Sequence, residues 1–212
     1  MSSPRPTWTL FLVVVALAAA AVTAIPSVRG PILRAAGWAL IFKEPMAPTD
    51  IIVVFGYSRA AALEATDLVQ SGIATRVAVF ADPPSGEDHE FIRRGLPYDD
   101  ESATQVGRLR RLGMTEVMQI PRTGDETEDE VLPQWCDQHQ FRSIVLVVPS
   151  ERSRRLRRVL DRVMRGHPTR VTVQPARYSN FDPDRWWKTR DGIRTEIVEF
   201  QKLVMEVVQH PI

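Results

Sequence analysis

The sequence predicts an α/β domain built on a parallel sheet, carried behind an N-terminal membrane-crossing helix. Three observations carry this. Five short apolar runs, rich in β-branched residues, recur through residues 49–212. Stretches with apolar side chains at helical spacing separate them, and strands alternating with helices imply a parallel sheet covered on both faces. Residues 8–25, WTLFLVVVALAAAAVTAI, carry no charge and approach the roughly 20 apolar residues that a helix needs to cross a bilayer.

The chain divides accordingly into a tail (1–7), an anchor (8–25), a juxtamembrane helix and linker (26–48) and the α/β domain (49–212). A second reading of 8–25 is a signal peptide cleaved after Val22-x-Ala24; the anchor is preferred. Arg5 lies before the run, and Arg29, Arg34 and Lys43 lie after it, so the positive-inside rule leans towards a cytoplasmic domain. Pro26 ends the run, and residues 27–42 follow as a short amphipathic helix with Ile32, Leu33, Trp38, Leu40 and Ile41 apolar.

Composition sets outer limits. The 212 residues suit an anchor plus one domain. Lys+Arg is 27 and Asp+Glu is 26, a formal net charge of +1, so no nucleic-acid partner is indicated. Cys136 is the single cysteine, which excludes an internal disulfide and leaves the redox compartment open.

Strands are expected at 51–55, 76–80, 116–120, 143–148 and 170–173, and helices at 60–71, 101–112, 126–140, 152–165 and 191–208. The runs IIVVF and IVLVV are continuously apolar, as central strands buried on both faces must be. In the last helix, Ile193, Ile197, Phe200 and Val204 form the expected buried stripe, with Trp186 and Trp187 ahead of it as packing anchors. Residues 82–100 break the alternation and read as a long loop, a length usual for functional or mobile segments.

Ligands of doubly wound sheets sit beyond the carboxyl ends of the strands, where strand order reverses. Helix N-termini there present free N–H groups, so an anionic ligand is the first expectation. Gly56-Tyr57-Ser58-Arg59 follows the first strand, Pro121-Arg122-Thr123 the third and Pro149-Ser150 the fourth. FGYSR matches neither G-x-G-x-x-G nor a Walker loop, so Gly56 is also read as a plain tight turn and Arg59 as a solvated first-turn cation. Thr123, Asp125 and Thr127 are alternative caps for the fourth helix, with Glu128 or Glu130 in its first turn. The arginine-rich helix after Ser150 offers Arg152 and Arg155 to the same edge, its other arginines forming a solvated face. Glu199 and Lys202 are spaced to pair. His89 sits among Glu87, Asp88 and Glu90 without metal-ligand spacing, so no metal is expected, and no cofactor is named.

The order of these segments resembles the YdcF/SanA/ElyC-like family over about residues 43–206. KEPMAPTDIIVVFG, RAAALEATDLVQSGIATRVAVF, TGDETEDEV, IVLVVPSERSRRLRRVL and RWWKTRDGIRTEIVEFQKL carry the resemblance in that order. It implies a Rossmann-like three-layer fold with a mostly parallel sheet of about five strands. It implies, too, a domain on the extracytoplasmic side of the cell membrane, acting in peptidoglycan-precursor or lipid-carrier metabolism of a bacterial envelope. Tyr57 stands where the family has a second glycine, and Ser153 where it has a histidine.

The expected site is then a cradle for a phosphate-bearing, nucleotide-like or lipid-linked ligand. It comprises Gly56, Tyr57, Ser58, Arg59, Thr123, Thr127, Ser150 and Arg155, with Glu101 and Glu130 as general-base candidates. The alternative is a non-catalytic relative that acts through protein or lipid partners.

Overall fold

The computed structural model describes residues 26–98, 100–123 and 126–211. Five strands form one sheet in the order β3-β2-β1-β4-β5. They are β1 (Ile51–Val54), β2 (Val77–Ala81), β3 (Val117–Pro121), β4 (Ser143–Pro149) and β5 (Arg170–Ala176), and every pairing is parallel. The sheet is Rossmann-like, as the sequence predicts. The chain runs outward from β1 to β3, then returns to the other side of β1 for β4 and β5, so strand order reverses between β1 and β4.

The layers follow from apolar patterning. One face of the sheet packs on α2 (Arg59–Gln70) and α4 (Glu101–Arg111), through Ala61, Ala62, Ala65, Leu68, Val106 and Leu109 against Ile52, Val54, Val77 and Val79. The other packs on α5 (Glu128–Gln138) and α6 (Ser153–Val163), through Leu132, Trp135, Leu156 and Leu160 against Ile51, Val53, Phe55 and Leu146. β1 is buried at all four residues, so successive Ile and Val side chains fill both cores.

Between β2 and α4, the segment expected to be a loop holds α3 (Gly86–Arg93). A capping box starts it: Asp88 N–H donates to Ser85 Oγ at 3.1 Å, and Ser85 N–H donates to Asp88 Oδ2 at 2.8 Å. None of its residues is buried, so no apolar stripe announces it.

The N-terminal helix α1 (Pro26–Ala39) is fastened to the domain. A Cβ on Gly37 would lie 2.5 Å from the Pro183 carbonyl oxygen, so the helix backbone itself rests on the 183–186 turn. Trp186 Nε1 donates to the Leu33 carbonyl at 2.7 Å. Phe42 N–H donates to Ser153 Oγ at 2.8 Å, Arg154 N–H to the Leu40 carbonyl at 3.1 Å, and the Arg154 side chain to the Ile41 carbonyl at 2.8 Å. The anchor expected over 8–25 lies outside the described residues; among the described residues no helix is long and apolar enough to cross a membrane.

The last helix, α7 (Arg190–Gln209), packs on α6 the other way round from expectation. Ile193, Ile197, Phe200 and Val204 are 40–50 % exposed, while Glu196, Glu199 and Leu203 are buried. The reason is the arginine face of α6 and the turn before it. Glu199 meets Arg155 at 3.4 Å, Arg152 at 3.6 Å and its own Lys202 at 2.9 Å. Charge complementarity at Glu199, together with burial of Leu203 against Leu40 and Phe181, turns the helix.

At the opposite end of the sheet, Asp50 clamps β1 to β4. Its Oδ2 accepts the N–H groups of Arg142 at 2.7 Å and Ser143 at 2.9 Å. The Ser143 N–H bond, foremost, holds its carboxyl below the usual aspartate range. A depressed native pKa contributes stability above the unfolded value of about 3.9, lost as pH falls through the native one. Asp50→Asn should therefore be about 1 kcal/mol less stable than the parent at pH 6. The difference between the two urea-unfolding curves should shrink as pH falls below about 3.9 and vanish below the native value.

Candidate functional site

The carboxyl ends of the strands carry two hollows, separated by the Tyr57-Ser58 peptide. β1 continues its pairing one residue past the strand, where Phe55 N–H donates to the Val147 carbonyl at 2.9 Å. Gly56 then takes a left-handed φ of 69°, which an L side chain adopts only at a cost. Its N–H donates to Glu128 Oε1 at 3.1 Å, tying the end of β1 to the first residue of α5. Ser58 caps α2, its Oγ accepting the Ala61 N–H at 3.3 Å, and its carbonyl accepts from Gln105 Nε2 at 3.2 Å.

The first hollow, about 340 Å³, lies beyond β1 and β2 beneath α3 and is acidic, with Tyr57, Asp82, Asp88, Asp100 and Glu101 in its lining. Arg122 pairs with Asp82 at 2.8 Å. The Tyr57 hydroxyl oxygen is buried and has no hydrogen-bond partner among the described residues; burial, then the neighbouring Asp82 carboxylate, pushes its pKa far up and keeps it protonated. Among the described residues, no group of three or more His, Cys, Asp or Glu side chains is arranged to hold a metal ion.

The second hollow, about 520 Å³, opens over the reversal between β1 and β4, with Ser58, Arg59, Glu151, Tyr178, Ser179 and Asn180 in its lining. Glu151 is held in place, accepting from Ser179 Oγ at 2.8 Å and from Ser150 Oγ at 3.3 Å. Arg59 is exposed and makes no ion pair among the described residues. Arg59 and Arg111 lie close enough to Arg108 to help lower its pKa, after the larger effect of burial.

The residues singled out in the sequence do not all meet at one place. Gly56, Tyr57, Ser58, Arg59 and Ser150 meet at the strand-end edge. Thr123, Thr127 and Glu130 shape the start of α5: Thr123 Oγ1 donates to Glu126, and Thr127 N–H donates to Glu130 Oε2 at 2.8 Å. That bond lowers the Glu130 pKa on an exposed side chain, which suits a cap and not a base working near neutrality. Arg155 is turned to Glu199, while Glu101 lies on the acidic hollow. Ser153 is fully buried between the linker and α6, its Oγ donating to the Ser150 carbonyl at 2.7 Å, so that position does not face the edge.

One residue gains a role that local sequence did not give it. Glu128 reads as a first-turn carboxylate, yet burial pushes it up to about 7, against the lowering effects of the Gly56 N–H and of Arg122. Its partner lies 72 positions away in the chain, so no local signal exposes the arrangement.

No protein-family model matches the chain, and no curated protein matches it. Solved structures do match. A universal stress protein from Archaeoglobus fulgidus in complex with dAMP is 16 % identical, covering 60 % of this chain and 98 % of its own, with a TM-score of 0.36. A universal stress protein in complex with cAMP is 15 % identical, covering 61 % and 99 %, with a TM-score of 0.37. A member of that family from Burkholderia pseudomallei is 19 % identical, covering 62 % and 100 %, also at 0.37. Likeness this weak carries no argument about what the present chain binds.

These findings correct the resemblance drawn from sequence. The matched structures are universal stress proteins, not members of the YdcF/SanA/ElyC-like family, and that family's envelope role goes with it. The quoted segments are strand-turn-helix units that any sheet of this order repeats in the same sequence, so their succession reports architecture rather than ancestry.

Glu128 gives a test of the site's electrostatics. A carboxyl raised in the native state contributes stability below its unfolded pKa, about 4.3, that is lost as pH rises through the native value near 7. Calorimetric melting of Glu128→Gln should match the parent at pH 4.5 and exceed it at pH 8.

Proposed function

We propose that this domain binds a phosphate-bearing or nucleotide-like small molecule in the hollow over the β1–β4 reversal. The observation that carries the proposal is an exposed Arg59, without an ion pair among the described residues, lining that hollow beside the Ser58-capped start of α2. A guanidinium presents a forked donor that suits a phosphate bidentately, and the helix start adds N–H groups and partial positive charge. Glu151, anchored by two hydroxyls, faces the same space and offers an acceptor to ribose or sugar hydroxyls. The acidic hollow next door repels the anion and sets its side of the Tyr57-Ser58 peptide.

Isothermal titration with AMP, a sugar nucleotide and a polyprenyl monophosphate tests this. At least one ligand should bind, and Arg59→Ala should weaken it tenfold or more, as loss of a charged hydrogen bond predicts. Arg110→Ala, on the exposed end of α4, should leave the affinity unchanged. Silence from all three ligands removes the proposal.

A second reading adds chemistry. Glu128, poised near neutrality at the end of β1, has the proton affinity of a general acid or base for a hydrolase or transferase step. Under that reading, Glu128→Gln keeps ligand affinity within about twofold and lowers single-turnover rate at least a hundredfold, the usual scale of general acid–base catalysis. Equal rates for both proteins would reduce the domain to a binding module.

A further inference from the structure

Five of the exposed apolar residues of α7 follow one rule along the helix, and Val198, Met205 and Val208 are exposed beside them. Ile193, Ile197, Phe200, Val204 and Val207 succeed one another at steps of four, three, four and three, and all are 40 % exposed or more. That is the 3.5-residue repeat of a coiled-coil seam, which fits a facing helix. The helix meets its own domain through Glu196, Glu199 and Leu203, on a neighbouring face, so among the described residues the seam stays open. We infer that α7 pairs with α7 of a second copy of this chain.

Three arguments select that occupant. A second α7 brings the same seam, and a twofold pairing satisfies both at once. Two helices of 20 residues, with their flanking side chains, bury on the order of 1,000 Å² in total, the lower bound for a specific interface. The other apolar stretch of the chain, residues 8–25, is apolar at nearly every position and shows no three-four alternation to mesh with it.

The pairing is antiparallel. Arg190 stands seven residues before Ile197 and so continues the seam at the N-terminal end, with Arg194 beside it. A parallel pair would bring these cations of both copies together. Antiparallel helices separate them and set each Arg190 towards the carboxyl end of its partner, where a helix favours positive charge.

Sedimentation of the full-length chain in density-matched detergent, with spin-label distances, tests the pairing. The parent should sediment as a dimer. Ile197→Glu should be monomeric, self-associating at least tenfold more weakly, with unchanged far-ultraviolet circular dichroism because the position is exposed in the monomer, and without the rise in melting temperature that dimerisation gives the parent. Labels on Gln201→Cys should lie near each other across the twofold, and labels on Asp191→Cys about 30 Å apart, from the 1.5 Å helical rise. Cys136 stays unlabelled near neutral pH, since it is buried and its thiol is pushed up to about 12. A parent that is monomeric at every concentration overturns the inference, as does a dimer that survives Ile197→Glu. Equal distances at both labels would overturn the antiparallel arrangement.

Discussion

Everything at the strand-end edge depends on β1 having a parallel partner on each side. Because β2 lies on one side and β4 on the other, the chain leaves β1 towards one face of the sheet and leaves β4 towards the other. The two exits diverge, and a gap must open between them. The ligand hollow is that gap. It follows from strand order, and side chains only decide what it accepts. Continuous burial of Ile51–Val54 makes the order stable, since a strand apolar on both faces is satisfied only in the centre of a sheet.

Gly56 converts that topology into electrostatics. Its left-handed backbone turns the N–H towards Glu128 on the next layer and sends Tyr57 and Ser58 to different hollows. One step of chain therefore separates an acidic lining from one with an exposed guanidinium. Glu128 sits under this step. Its burial outweighs a hydrogen bond, a nearby arginine and the favourable helix start, which is the ordinary outcome when desolvation of a carboxylate is large. Its proton affinity is thus set by long-range packing rather than by its neighbours in sequence.

What was legible in the sequence follows the same division. The five strands and the helices between them could be read because apolar periodicity is local, and because parallel sheets bury their central strands on both faces. α3 was not legible: with no buried residue it has no stripe, and only the Ser85/Asp88 capping pair marks its start. The apolar side of α7 was read correctly, and its burial wrongly. Periodicity says which face is apolar and nothing about what covers it, and the Arg152 and Arg155 contacts to Glu199, with Leu203 buried against Leu40 and Phe181, decided the matter. Of the site, the Gly56–Arg59 edge and Ser150 could be placed from strand ends alone. Glu128 could not, because its burial arises only when the turn after β1 meets the start of α5.

The linker after α1 gives the fold a mechanical property. Leu40, Ile41 and Phe42 are fastened in succession to Ser153 and Arg154, directly behind Ser150 and Glu151. Tension applied through the N-terminal helix would not reach the sheet along β1 first. It would be delivered as shear at the beginning of α6, where the Ser153 hydroxyl also holds the Ser150 carbonyl at 2.7 Å. A pull is therefore taken first by the 183–186 turn, through Leu33 and Trp186, and next by the wall of the hollow that carries Glu151.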